Sequence, residues 1–411
     1  MKKLIVLSLA FSSFVALAHE VAPLHLDLEM ESSEYASLLK KLPKNKEADD
    51  PAIVKALARG QRLAAWIAAE NNRRSPSEAI RLTSATTRRG IPIDKPSIYS
   101  EKTIAQDLIT HTTDLNADII KVVDGGAFPA TLPLADEEFI LQARKIDKTY
   151  QSAARFKSLI NWRSQYAQRK SLDLRSYYFF KTGGWTEARI SDIANLPADE
   201  QVVVRDHMAG MCVNDGRSSM ATCRSKVARM EAAGRLGEMF TNSFKVSAQV
   251  WDGFFNIPSY GTRKDVVYKT ENLMTVPFNT PSIAKFLPYL RDNVEDEFKF
   301  ENWGLKLNFG TFANGPLLKF ETGVVPHVNG LGGNEIVMDS TQPIEEYESQ
   351  WTIRHEFGHV IGLPDCYHEF YDNELKAFVN YQLDITDLMC SRAGNMNERI
   401  YQELKRVYFR P

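Results

Sequence analysis

The string His355-Glu356-Phe357-Gly358-His359-Val360-Ile361-Gly362-Leu363-Pro364-Asp365 constrains this chain more than any other stretch. On an α-helix, positions four apart lie one turn above each other, so His355 and His359 present two imidazoles to one point in space. Ile353, Phe357, Val360 and Ile361 give the same helix an apolar face, which frees the histidines from any packing duty. Gly362 permits a sharp reversal and Pro364 cannot continue the hydrogen-bond ladder, so a helix over about 349–362 is predicted to end there. The reversed chain can then bring Asp365 back to the histidines. Two imidazoles and a carboxylate with a fourth position open are the ligand set of catalytic rather than structural zinc (Zn2+). Glu356, beside the first ligand, is placed to act as general base toward a metal-activated water and later to protonate the leaving amine. His368 competes with Asp365 for the third ligand position, because imidazole is a commoner zinc ligand than carboxylate; otherwise it reads as an exposed loop residue.

The string resembles the extended motif H-E-x-x-H-x-x-G-x-x-H or D of the metzincin zinc peptidases. Asp365 at the last position, with the Gly-Leu-Pro-Asp-x-Tyr run ending in Tyr367, looks most like the Asp-type branch typified by snapalysin. The resemblance implies a methionine turn beneath the zinc, and Asp387-Leu388-Met389-Cys390 is its match, with Met389 24 residues after Asp365. Ser391 departs from the pattern, since several metzincins carry there a Tyr that helps to hold the transition-state oxyanion. Gly332-Gly333-Asn334 leading into 335–339 is similar to the family's edge strand, which pairs with an extended substrate; an interior strand would read the same way. The resemblance covers about residues 244–411 and implies a secreted zinc metalloendopeptidase cutting proteins or peptides. Two other classes share the motif's chemistry: a zinc-holding binding protein without turnover, and a zinc amidase acting on a non-protein substrate. Glu356 speaks against the former, because a protein without turnover has no need of a carboxylate beside its first ligand.

Outside the motif the chain predicts an α+β fold, with a metzincin-like catalytic domain (a twisted mixed sheet, an active-site helix and a C-terminal helix) over 241–411. A mostly helical pro- or accessory domain over 19–240 is expected to precede it. Asp50-Pro51 opens a helix in which Ile53, Leu57, Leu63, Trp66 and Ile67 share a face, weakened at Gly60. A second helical run starts near Asp136 with Phe139, Ala143, Ile146 and Tyr150 and extends toward Lys170, and a third covers 219–240. Residues 245–250 and 273–278 read as strands, 283–298 as a helix, and 303–309, 317–325 and 335–339 as further strands. A last helix over 397–408 carries Ile400, Leu404 and Val407 as its buried stripe, with Asn395 as its cap candidate.

Residues 1–18 have the grammar of a signal peptide: Lys2 and Lys3, an apolar run from Leu4 to Leu17, and small residues around Ala18. The run is shorter than the ~20 residues a membrane span needs, so cleavage and export to a secreted or periplasmic location are expected rather than stable membrane insertion. Cys212 and Cys223, and Cys366 and Cys390, form two close pairs suited to local disulfides in an oxidising compartment, although four cysteines allow three pairings. A formal net charge of -2 gives no electrostatic case for a nucleic-acid partner. The partners expected are a protein or peptide substrate and, in the pro-domain reading, the chain's own N-terminal half as an intramolecular inhibitor.

Overall fold

The computed structural model describes residues 50–82, 97–216, 218–342, 344, 347–392 and 394–409, so the signal segment 1–18 lies outside the described residues. In chain order the elements are α1 (Pro51–Asn71), β1 (Ser97–Tyr99), α2 (Glu101–Thr113), α3 (Ala117–Val123), α4 (Asp136–Leu159), α5 (Arg163–Arg169), α6 (Leu174–Thr182), α7 (Glu187–Ser191), α8 (Ala198–Asn214), α9 (Met220–Ala232) and α10 (Leu236–Asp252). There follow β2 (Val267–Thr270), β3 (Leu273–Asn279), α11 (Phe286–Leu290), β4 (Lys299–Phe300), β5 (Trp303–Gly310), β6 (Leu317–Glu321), β7 (His327–Val328) and β8 (Glu335–Asp339). The chain ends with α12 (Tyr347–Val360), β9 (Tyr367–Asp372), β10 (Ala377–Gln382) and α13 (Glu398–Tyr408). The mixture of helices and strands is the expected α+β class.

Three sheets carry the strands. β2-β3-β5-β4 is mixed, with β3 parallel to β5; β6-β8-β7 pairs β6 parallel and β7 antiparallel to β8; β1-β10-β9 is antiparallel. β3, an interior strand, is buried on both faces, through Met274, Val276 and Phe278 on one and Thr275 and Pro277 on the other. Against it pack Phe298, Leu305, Leu404 and the apolar face of α12, where Ile353, Phe357, Val360 and Ile361 are all fully buried. The helix that carries the motif is therefore fixed by its back to the central core.

Several sequence expectations need correction. Residues 245–250 lie inside α10 rather than in a strand. A six-residue alternation is too short to separate a period of 2 from 3.6, and the wider spacing of Met239, Ser243, Ser247 and Trp251, all buried, is helical. The helix expected over 219–240 is two helices, broken where Gly234 takes φ +66° after α9. Asn397, not Asn395, caps α13, its side chain accepting from the Ile400 amide at 3.0 Å. The hairpin β9-β10 is absent from the strands read above, although aromatic-rich runs flank the turn that begins at Asn373.

Packing crosses the division at residues 240 and 241, which falls within α10. β1, from the N-terminal part, adds to the β10-β9 hairpin in the register Ser97↔Asn380 to Tyr99↔Phe378. One core joins Ile53, Ala56, Ile104, Ala153 and Phe156 to Tyr371 and Phe378, and Tyr177, Tyr178 and Trp251 enter the core beneath β3. The two stretches with different sequence grammar share cores.

Gly60 shows why a helix-weakening residue stands within α1. A Cβ there would lie 2.3 Å from Cγ of the buried Tyr150, so glycine lets α1 and α4 approach. Intrinsic helix propensity favours alanine by about 1 kcal/mol, but overpacking costs about 1–3 kcal/mol. Gly60→Ala is expected to lower stability by up to about 2 kcal/mol, read from urea denaturation midpoints; a raised midpoint would show that helix propensity governs this position.

Candidate metal centre

α12 carries His355, Glu356 and His359, and the turn that follows carries Asp365. The turn is built by contacts that only glycine allows. Gly362 adopts φ +86°, and a Cβ on it would lie 2.4 Å from the Gly261 carbonyl oxygen. The Leu363 amide donates to Gly358 O at 2.9 Å and the Gly332 amide to His359 O at 2.8 Å, so freed carbonyls at the helix end find partners.

His355 Nε2 lies 3.1 Å and His359 Nε2 3.2 Å from Asp365 Oδ1. Tetrahedral coordination with bonds of ~2.0–2.1 Å places donors roughly 3.3 Å apart, so the three atoms are spaced for one small cation. The opposite ring nitrogens are also occupied. His355 Nδ1 faces Leu388 O at 2.9 Å and His359 Nδ1 faces Leu363 O at 2.8 Å. A carbonyl only accepts, so each Nδ1 donates to its carbonyl, and Nε2 faces Asp365 either as an N–H donor in the imidazolium or, in the neutral ring, with a lone pair for a shared cation. The electrostatics agree. Burial pulls the His359 pKa down, yet the adjacent Asp365 carboxylate lifts it to about 9. Burial likewise opposes ionisation of Asp365, but His359 and His355 hold its carboxyl well below the usual range. The cluster demands positive charge, which a proton or a divalent metal can supply.

Met389 lies under this helix. A Cβ on Gly358 would stand 2.3 Å from Met389 Sδ, so the glycine within the motif is the floor on which the methionine rests. The segment around Met389 is fixed by the wholly buried Asp387, whose Oδ1 accepts from the Met389 amide at 2.8 Å and whose Oδ2 accepts from Asn397 Nδ2 at 2.7 Å and Arg399 Nε at 3.0 Å. Cys366 and Cys390 are disulfide-bonded, and the Cys366 amide donates to Met389 O at 3.1 Å, tying the ligand turn to the methionine segment. Cys212 and Cys223 form the other disulfide, which leaves neither sulfur as a thiolate for the metal site.

The three donors open into a cleft of ≈ 950 Å³. Glu356, 5% exposed, lines it, and its carboxylate has no hydrogen-bond partner among the described residues. His368 is placed elsewhere. It is a buried residue of β9 rather than an exposed loop residue, with Nε2 3.0 Å from Arg169 O, and burial pushes its pKa down to about 4. β8 is an interior strand, and its flank toward the cleft is taken by β7, so the free edge belongs to residues around His327 and Val328.

The opposite wall comes from α4, α5 and the short turn between them, through Tyr150, Arg155, Leu159, Trp162, Tyr166 and Arg169. Sequence reasoning missed these residues, and their signal is only the buried stripe of α4, which says that the helix packs but not against what. No family model, curated protein or solved structure matches this chain.

Two outcomes follow from this geometry. Asp365→Ala should lose bound metal, whereas His368→Ala should keep it, in metal analysis of purified protein; the reverse would exchange their roles. Gly358→Ala, by driving Met389 from beneath the ligands, should destabilise the chain by about 1–3 kcal/mol in thermal or urea unfolding; unchanged stability would show that the methionine can move at no cost.

Proposed function

We propose that this chain is an exported zinc-dependent endopeptidase of the metzincin type. The observation that carries the reading is the convergence of His355, His359 and Asp365 on one point, with both Nδ1 atoms tied to carbonyls and, in the same cleft, the Glu356 carboxylate without a hydrogen-bond partner among the described residues. Zinc held by such donors supplies Lewis acidity and brings the pKa of a water to about 7. Within this reading Glu356 accepts the proton of the water that attacks the peptide carbonyl and returns it to the leaving nitrogen. Burial raises the Tyr367 phenol well above its ordinary pKa, so it remains a donor at neutral pH. Its hydroxyl lines the cleft, where it is available to a developing oxyanion in place of the tyrosine that Ser391 replaces. The free edge of β7 offers backbone groups to an extended substrate, and such pairing needs no particular side chain. Two disulfides support an oxidising compartment, secreted or periplasmic. Among the described residues no helix is long and apolar enough to cross a membrane.

The test is casein or gelatin hydrolysis with and without a chelator, beside Glu356→Gln. Removal of a general base costs about 10²–10⁴-fold in rate. The variant is expected to lose activity by that factor while keeping one zinc per chain; near-wild-type hydrolysis by metal-loaded Glu356→Gln would refute the mechanism.

A further inference from the structure

Arg169 ends α5 on the helical wall of the cleft, and its main chain and its ring contact are both fixed. Its carbonyl accepts from the Leu172 amide at 3.1 Å and from Nε2 of the buried His368 at 3.0 Å, which ties α5 to β9. The next residue, Lys170, adds an ion pair to the wholly buried Asp372, with Nζ 2.9 Å from Oδ2. The Arg169 guanidinium lies over the ring of Tyr166, and that ring meets the buried Phe378 edge-on, 5.6 Å between centroids. A guanidinium carries five N–H donors, and lying on a ring face spends none of them. Among the described residues no acceptor bonds to the Arg169 guanidinium and no carboxylate lies within ion-pair distance of it. Arg155, the other guanidinium on this wall, is by contrast spent, with Nη2 2.6 Å from Glu369 Oε2 and 3.1 Å from Tyr367 Oη. Asp339, across the cleft, is likewise occupied, accepting from the Gly323 amide at 3.0 Å and the Thr341 hydroxyl at 2.8 Å. Arg169 is an oriented cation whose hydrogen bonds are unmade.

We infer that Arg169 is a specificity-determining residue of the cleft, taking the carboxylate side chain of an aspartate or glutamate in the substrate. The inference rests on the peptidase reading for the substrate being a peptide. Holding α5 to β9 needs only the Arg169 carbonyl, so that role leaves the guanidinium unexplained. A planar fork kept in place by stacking offers two parallel N–H groups to a carboxylate, and such charge-assisted pairs are stronger than neutral ones. A glutamine side chain presents one oxygen and no charge, and a lysine is repelled. An extended peptide turns successive side chains to opposite faces, so a wall fixed opposite the β7 edge reads one position and skips its immediate neighbours.

The experiment uses the full chain carrying Glu356→Gln, so that peptides bind without turnover. Dye-labelled, C-terminally amidated peptides of one neutral sequence carry a single glutamate, glutamine or lysine walked along their length, and binding is read by fluorescence anisotropy. At one position glutamate is expected to bind about 5–10-fold more tightly than glutamine, with no such preference at the adjacent positions. Adding Arg169→Ala should bring that ratio to within about 2-fold of unity, and Arg169→Glu should turn the preference toward lysine, each in protein with unaltered circular dichroism. A second series, without glutamate, ends in a free carboxylate in place of the amide. A glutamate preference that survives Arg169→Ala, equal binding of glutamate and glutamine at every position, or a preference confined to the free C-terminal carboxylate would overturn the inference. In wild type the same glutamate-to-glutamine ratio should appear in kcat/KM. If wild type cleaves none of the peptides, the peptidase reading fails while the anisotropy ratios still decide the role of Arg169.

Discussion

The structure turns on one electrostatic demand, a carboxylate drawn between two imidazoles at the end of a buried helix. An Asp365 oxygen 3.1 Å and 3.2 Å from the two Nε2 atoms is stabilised by positive charge there, carried by the imidazoles themselves or, in the reading proposed above, by a divalent metal. The carbonyls of Leu388 and Leu363 fix the ring orientations. The apolar back of α12 supplies the rigidity, because a helix packed by Ile353, Phe357, Val360 and Ile361 cannot rotate to relax the site without leaving the core. The ligands are preorganised by packing that has no polar role of its own.

A second layer keeps the reversed chain from drifting. The disulfide between Cys366 and Cys390, the Cys366 amide on Met389 O and the buried Asp387 with its bonds to Met389, Asn397 and Arg399 form one cross-linked knot below the metal centre. Asp387 is a buried charge, and such a charge is tolerable only when its oxygens are fully bonded. Its partners come from α13 and from its own turn, so the C-terminal helix is linked through it to the ligand turn. Met389, resting on Gly358, closes the gap between the two layers.

Legibility in the sequence followed the range of the interactions. The candidate metal centre lies within eleven consecutive residues whose convergence follows from helix periodicity and from glycine and proline geometry, so the meeting of both histidines with Asp365 and the turn at Gly362 was legible in the sequence. β5, α1 and α4 were likewise written in periodic stripes, and β3 in a short apolar run closed by turn residues. His368 could not be placed that way, because its burial depends on β9 pairing with β10 and on the carbonyl of Arg169, both remote from the motif. Residues 245–250 failed for the opposite reason: a short alternation was read locally where the longer helical register of α10 governs. Arg155 and Tyr150 gave no functional signal at all, since what they do is set by partners some two hundred residues away.

That division between local chemistry and distant walls bears on how such a chain acquires specificity. In the proposed peptidase reading, a motif confined to one helix and one turn fixes the reaction, whereas a substrate would touch the whole cleft, whose faces are β7 on one side and α4 with α5 on the other. β7 contributes backbone, which is indifferent to substrate sequence. The helical wall contributes side chains, among them Trp162, 57% exposed, and Arg169, whose guanidinium stacks on Tyr166 with Cζ 4.3 Å from the ring centroid. An aromatic and cationic face opposite an edge strand can discriminate among substrate side chains, whereas the edge cannot. The N-terminal part, which carries none of the motif, is in that reading where selectivity can vary without disturbing the ligand set, because Arg155 of α4 bonds to Tyr367 and Glu369 rather than to the histidines.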